Sequence, residues 1–262
     1  MSLTDAECPY VWSLCALPYE VLLACGDTGL RAFSLRGALL SAHEPTSIRN
    51  VYGVAFDNHT GTLLLIVWVV KRSTYWLVSL RRNTREWFEV NRLLTELISV
   101  PVISVCDSRV LLLDRKTHKV HEFFVNAKHN VTGAGSVYVG DQCNWLACTR
   151  RDSDVLVAFS NSSFVSLQRL TSFPLQLTRL TEVELSFPWT LLFFGDVLLV
   201  AHWKENSFKQ SIVLFRALGN ELTERRMLLD TNIEKVGFWA LSCQRLILWD
   251  SKSKNLLVYA FA

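Results

Sequence analysis

The chain has 262 residues, half of them hydrophobic and 19% charged, against about 25% charged in typical globular domains; this supports a packed core and excludes disorder over most of the length. Its 27 basic and 24 acidic residues leave a net charge of +3, which excludes a tail built to coat nucleic acid or an anionic membrane. Length alone leaves one or two domains open, since large all-β domains reach this size as a single body.

The N-terminal MSLTDAECPY carries acidic residues where a secretory signal would place basic and then apolar ones, which points to an intracellular, reducing compartment, cytoplasmic or nuclear. The seven cysteines, at 8, 15, 25, 106, 143, 148 and 243, mostly sit inside apolar runs such as LLACG and ISVCD and read as buried free thiols. Asn-x-Ser/Thr triplets at Asn58, Asn130 and Asn161 point the other way, but such triplets arise often by chance and need a secretory route to matter.

From residue 21 onward one device recurs: an apolar run, a polar turn and a second apolar run. It is written VLLACGDTGLRAFSL at 21–35, LLLIVWVVKRSTYWLVSL at 63–80, VLLLDRKTHKVHEFFV at 110–125, VLVAFSNSSFVSLQRL at 155–170, VLLVAHWKENSFKQSIVLFRAL at 197–218 and LILWDSKSKNLLVYAF at 246–261. A repeat of about 45 residues is the mark of a radial array of small sheets. A further apolar run precedes each copy, from VWSLCAL to VGFWALS, and four copies are followed by a more polar stretch such as EWFEVNRL at 86–93 or ELTERRMLL at 221–229. The pattern predicts an all-β chain, a six-bladed β-propeller of three to four antiparallel strands per blade. It fills residues 1–262 as one domain, with blades at 10–46, 48–94, 97–129, 131–185, 187–230 and 232–262. The last copy stops at Ala262 after its third strand, and SLTDAECP offers only Leu3 as a substantial apolar residue for a fourth; the blade has three strands, or a poor fourth, or a strand from a partner.

The runs are strands because they are short, rich in Val, Phe, Trp and Leu, and bounded by Asp, Asn, Ser, Gly and Lys, while no segment keeps apolar residues at helical spacing over three turns. RLLTELISV, at 92–100, is the one short helical candidate. Continuous rather than alternating apolar runs suit strands whose sheet is covered on both faces. Charges in the fourth strands, such as Arg85, Glu86, Glu89, Arg225 and Arg226, suit a rim that must not pair edge to edge. LSFPWTLLFFGDVLLVAHW, at 185–203, is cut by Pro188 and by Gly195-Asp196 into pieces too short to cross a bilayer as a helix.

VISVCDSRVLLLDRKTHKVHEFF and VGFWALSCQRLILWDSKSKNLLVYAF resemble NHL-type repeats, with an Asp closing the second strand and a basic turn after it, and Leu248-Trp249-Asp250 resembles the WD dipeptide. The chain is therefore similar to β-propellers of the broad WD-repeat and NHL-repeat kind. The Gly-His pair of regular WD repeats is missing, and the resemblance carries over no function residue by residue.

The signatures of common chemistry are absent: no Gly-x-Ser-x-Gly elbow, no phosphate loop, no His-Glu-x-x-His. GAGSVYVG, at 133–140, precedes a strand and opens no helix, so it has no helix N-terminus to aim at a phosphate. His118, His121, His129, Cys143 and Cys148 form the densest group of metal-ligating types, but residues three apart on a strand face opposite ways, and neither metal nor cofactor is expected. Asp57, Asp107, Asp141 and Asp196 fall near strand ends, where a ring of carboxylates at a central channel would make a hydrolase and where turn formers are also ordinary. Asp114 and Asp250 read as turn caps, each accepting hydrogen bonds from the backbone N–H groups that follow.

The leading reading is a non-catalytic protein–protein interaction scaffold, a subunit of a larger complex, because stacked sheets present many loops on a rigid body. Its partner-binding candidates are the basic doublets Lys71-Arg72, Arg81-Arg82 and Arg150-Arg151, together with Trp87, Trp203 and Lys204, which stand in REWFEV and AHWKEN. Trp12, Trp68, Trp145, Trp189 and Trp239 lie in apolar runs and are assigned to the core. RNA binding is the alternative, through turns such as DRKTHK and VVKRSTYW that combine cations with aromatics; a hydrolase using the channel carboxylates is the third reading. No membrane span and no small-molecule substrate are expected.

Overall fold

The continuous apolar runs become the second and third strands of successive antiparallel meanders. The structure, a computed structural model, describes residues 10–35, 39–41, 48–83, 86–140, 143–172, 174–203, 210–230, 236–242, 245–250 and 252–260. The first sheet comprises β1 (Ser13–Ala16), β2 (Glu20–Ala24), β3 (Leu30–Ser34) and β4 (Leu39–Ser41). The second comprises β5 (Val51–Asp57), β6 (Thr62–Val69), β7 (Thr74–Asn83) and β8 (Glu86–Leu94), and the third β9 (Val102–Cys106), β10 (Arg109–Asp114), β11 (Lys119–Val125) and β12 (Val131–Tyr138). The fourth comprises β13 (Trp145–Arg151), β14 (Asp154–Ser160), β15 (Phe164–Ser172) and β16 (Leu175–Glu184), and the fifth β17 (Pro188–Phe194), β18 (Val197–Trp203), β19 (Gln210–Leu218) and β20 (Glu221–Asp230). The sixth holds β21 (Val236–Ser242), β22 (Arg245–Asp250) and β23 (Asn255–Ala260). Strands in every sheet are hydrogen-bonded in chain order.

Two expectations need correction. Six complete blades are not present: five sheets have four strands each, and the last has three among the described residues. Residues 131–138, assigned from sequence to the fourth blade, close the third sheet as β12. Their glycine-rich, largely exposed stretch carries the little apolar character of a rim strand, so it does not signal which hairpin it belongs to. RLLTELISV forms no helix; its first three residues end β8. Among the described residues no helix is long and apolar enough to cross a membrane.

The chain divides into two compact bodies, one of Met1–Pro101, Phe124–Thr132 and Val236–Ala262, the other of Val102–Phe123 and Gly133–Lys235. In the first, β2 is buried at every residue. Successive side chains of a strand point to opposite faces, and here both faces are covered. Val21 and Leu23 pack with Leu14, Phe33, Ile247 and Trp249, while Leu22 and Ala24 pack with Val51, Val54, Leu63 and Leu65. In the second body β14 does the same. Val155, Val157 and Phe159 meet Val102, Leu111 and Leu113, and Ala158 meets Leu198, Val200 and Phe215. Each such Val, Leu, Ile or Phe side chain contributes roughly 1.5–3 kcal/mol on leaving water.

Tight turns join the strands. Asp107 and Ser108 both have positive φ, 49° and 67°, and form the two-residue loop between β9 and β10, the backbone twist that suits a hairpin. Cys15, Cys106, Cys143 and Cys148 carry thiols, but Cys25 is half of a disulfide whose other half lies outside the described residues. The expectation of seven free thiols is corrected there, since sequence spacing does not say which cysteines meet in space.

Candidate docking site

In the first body the ends of several strands converge on a cavity of about 230 Å³. Its parts come from the segment before β5, from the end of β6 with the 3-10 turn Val70–Arg72, from the start of β7 and from β8. Asn50 adopts a left-handed conformation, φ 60°, and its carbonyl accepts the Trp68 N–H at 2.9 Å, which ties the incoming segment to β6. The Gly26 and Val51 backbones exchange hydrogen bonds of 2.8 and 3.0 Å. Ser73, left-handed at φ 49°, closes the 3-10 turn. Beyond it the Thr74 hydroxyl donates to the carbonyls of Thr95 and Leu97 at 2.6 and 2.9 Å. The walls are thus built on rigid backbone.

The interior is lined by Ile48, Val67, Val69 and Val70, with the indoles of Trp68 and Trp76, while Arg49, Lys71 and Arg92 supply charge. Arg92 is not a free cation. Both its Nε and its Nη2 donate to the Glu89 carboxylate, and its guanidinium lies over the Trp76 ring, 4.2 Å from the centroid. Arg49 and Lys71 are exposed and have no ion-pair partner among the described residues. Trp68 leans on Tyr75, centroids 4.7 Å apart, and the row continues edge to face through Tyr52 at 6.3 Å to Trp12 at 4.9 Å. Desolvation, and secondly the Asp27 charge, push the Tyr52 hydroxyl above the ordinary tyrosine range. A basic rim around an apolar, aromatic-walled hole can hold an apolar group and attract negative charge beside it.

The residues singled out from sequence fall as follows. Lys71 lines the cavity and Arg72 follows it in the same turn. Arg81 is exposed near the far end of β7, about 23 Å along the strand from Thr74 at ~3.3 Å per residue, so the doublets do not gather. Arg82 bonds Glu20 at 2.6 Å and covers the Trp87 ring at 5.4 Å. Trp87 is corrected: it is only 8% exposed and belongs to the core with Val78 and Leu80, because strand alternation turns it inward despite its charged neighbours. Arg150 pairs with Asp107, Arg151 donates to the Ala217 carbonyl at 3.0 Å, and Trp203 is half-buried at the end of β18. Lys204 lies outside the described residues. Asp114 Oδ1 accepts the Lys116 N–H at 3.0 Å, and Asp250 Oδ1 accepts that of Lys252 at 3.0 Å.

Three core tryptophans are corrected in the opposite sense. Trp12 and Trp189 are each 39% exposed and Trp68 is half-buried, while Trp145, also half-buried, does pack against the core as expected. They stand at strand ends, where neighbouring sheets no longer cover both faces; Trp239 has no described side chain. In the second body Trp145 stacks on Trp189 at 6.4 Å, and Phe187, two residues before Trp189, is 61% exposed.

Of the carboxylates suggested for hydrolysis, Asp57 is engaged by its turn and Asp107 by Arg150. Asp57, 1% exposed, accepts the backbone N–H groups of His59 and Thr60 and the Thr60 hydroxyl at 3.3, 3.2 and 2.6 Å. Asp196 is exposed in a turn, and Asp141 lies outside the described residues. His118 and His129 sit in turns at opposite ends of β11, and His129 Nδ1 hydrogen-bonds the Thr62 hydroxyl at 2.7 Å. Among the described residues, no three His, Cys, Asp or Glu side chains gather as a metal site would require.

Neither a protein-family model nor a curated protein matches the sequence. Solved structures do share its fold. The β-propeller domain of Cps50 (Swd1) from Myceliophteria thermophila is 14% identical, with a TM-score of 0.61 over 96% of this chain and 83% of that one. A functionally unknown protein from Desulfotomaculum acetoxidans is 12% identical, with a TM-score of 0.68 over 96% and 82%. A glucose dehydrogenase is 10% identical, with a TM-score of 0.64 over 100% and 99%. At such identities the likeness establishes the fold alone, a β-propeller, and that fold also serves enzymes.

Proposed function

We propose that this chain is a non-catalytic scaffold that docks a partner protein within a larger assembly, through the cavity between β5, β6, β7 and β8. One observation carries the reading: Arg49 and Lys71 stand exposed and unneutralised on the rim of a hole walled by Trp68, Trp76 and valines. Aromatic walls with cations at the rim match the composition of protein interface anchors. At about 230 Å³ the cavity lies below the ~300–1,000 Å³ of small-molecule sites, the size of one protruding side chain. The engagement of Asp57 in its turn and of Asp107 by Arg150 speaks for a scaffold over a hydrolase. The finer placing among WD-repeat or NHL-repeat propellers rests on Leu248-Trp249-Asp250 and the turn after Asp114.

A photo-crosslinking amino acid at Val70, beside the cavity, tests the docking reading in cells, with Leu218 as an exposed control. A protein captured in stoichiometric amount from Val70 and not from Leu218 is the expected outcome; equal or no capture at both sinks the reading.

A further inference from the structure

The chemistry of the cavity goes further and says what kind of partner fits it. We infer that it receives a bulky apolar side chain flanked by Asp and Glu residues, in a short acidic segment of the partner; this rests on the docking reading above.

Charge decides the flanks. Of the three cations at the cavity, Arg92 is neutralised by Glu89, which leaves Arg49 and Lys71 unneutralised, with Arg72 exposed one residue on. The Glu89 carboxylate beside the cavity is already held by both Arg92 nitrogens. An approaching segment therefore meets net positive charge on a low-dielectric apolar floor, where attraction to carboxylates is stronger than on open surface.

Shape decides the anchor. The interior surface is Ile48, Val67, Val69 and Val70 with two indoles, and Val70 is itself 68% exposed, apolar area that a partner side chain would remove from water. A nucleic acid carries negative charge too, but it needs open aromatic faces on which bases stack. Here Arg92 lies over Trp76 and Tyr75 leans on Trp68, so the ring faces are already in use. The acidic peptide is the better fit.

The test measures fluorescence polarisation of four labelled probes against the whole chain: a short peptide with a central Phe between runs of Asp and Glu, the same peptide with a central Gly, its counterpart with Lys runs, and an oligouridylate. The acidic Phe peptide should bind, weaken with added salt, and weaken at least about tenfold with R49E/K71E, both positions being exposed and remote from the core. V70D should cost similar affinity while melting like the wild type, and the Gly peptide should be weak. Binding of the Lys peptide, lost with V70D, would overturn the acidic assignment and leave the docking reading standing. Failure of every peptide to bind, whether or not oligouridylate does, overturns both.

Discussion

The Arg92 guanidinium is sandwiched by function: one side faces the Trp76 ring at 4.2 Å, and its edge grips the Glu89 carboxylate three residues back on the same strand. A cation over an indole is worth about 0.5–1 kcal/mol at exposed sites, and the partly exposed ion pair about as little. Replacing Arg92 by Ala should remove about 1–2 kcal/mol and lower Tm by roughly 2–8 °C, on the scale of about 2–4 °C per kcal/mol for chains of this size. It should also bare the Trp76 face and raise retention of oligouridylate, read by polarisation.

Trp87 and Val70 make a contrasting pair. Trp87 is 8% exposed and packs edge to face on Phe56, so Trp87→Ala should cost about 3–5 kcal/mol, as large aromatic-to-Ala changes in cores do. Val70→Asp on the surface should stay within about 0.5 kcal/mol. Urea unfolding of the two variants measures both; comparable losses would place Trp87 on the surface after all.

Gly26 holds Trp12 in place. Its φ is +60°, and a Cβ there would stand 3.0 Å from the Trp12 indole nitrogen. Gly26→Ala should cost about 1–2 kcal/mol for the left-handed backbone. It should also displace the indole from Tyr52, seen as a change in near-UV circular dichroism out of proportion to the stability lost.

Burial pushes the Cys15 thiol up to about 12 and that of Cys143 to about 11, from an ordinary 9.0. The thiolate is the reactive form, so in the native protein at neutral pH both should resist iodoacetamide and label only on unfolding, checked by mass spectrometry. The sign of the linked effect follows. The unfolded thiols lose protons from about pH 9 while the folded ones keep theirs, so the thiol contribution to stability is intact below pH 9 and lost from there toward about pH 11 for Cys143 and about pH 12 for Cys15. A Cys15→Ala/Cys143→Ala variant should lose less of its Tm across that window than the wild type.

How much of this was legible in the sequence depends on burial. The hairpins centred on VLLAC, LLLIV and VLVAF were, because strands covered on both faces need continuous apolar runs. The rim strands were less so: β12, VTGAGSVY, touches little and leaves no periodic trace, and its sheet could not be told from its neighbour. Trp87 was misread from its charged neighbours, although EWFEV alternates and one of its adjacent aromatics had to face inward. At the cavity, VVKRSTYW placed Lys71 near Trp76, but Arg49 and Arg92 come from other strands. No spacing announces that Glu89 silences one of three arginine and lysine charges. Cys25 shows the same limit, since a disulfide is a meeting in space.

The two-sided burial of β2 sets what kinds of genetic change the protein can absorb. Leu22 and Leu23 are neighbours in sequence but line different cores, so a substitution at either disturbs one packing layer and leaves the other intact. Insertion or deletion of a single residue would exchange the linings of both layers at once. Drift in this chain should therefore run through point changes inside the inner strands, with gain or loss of residues confined to the turns between them.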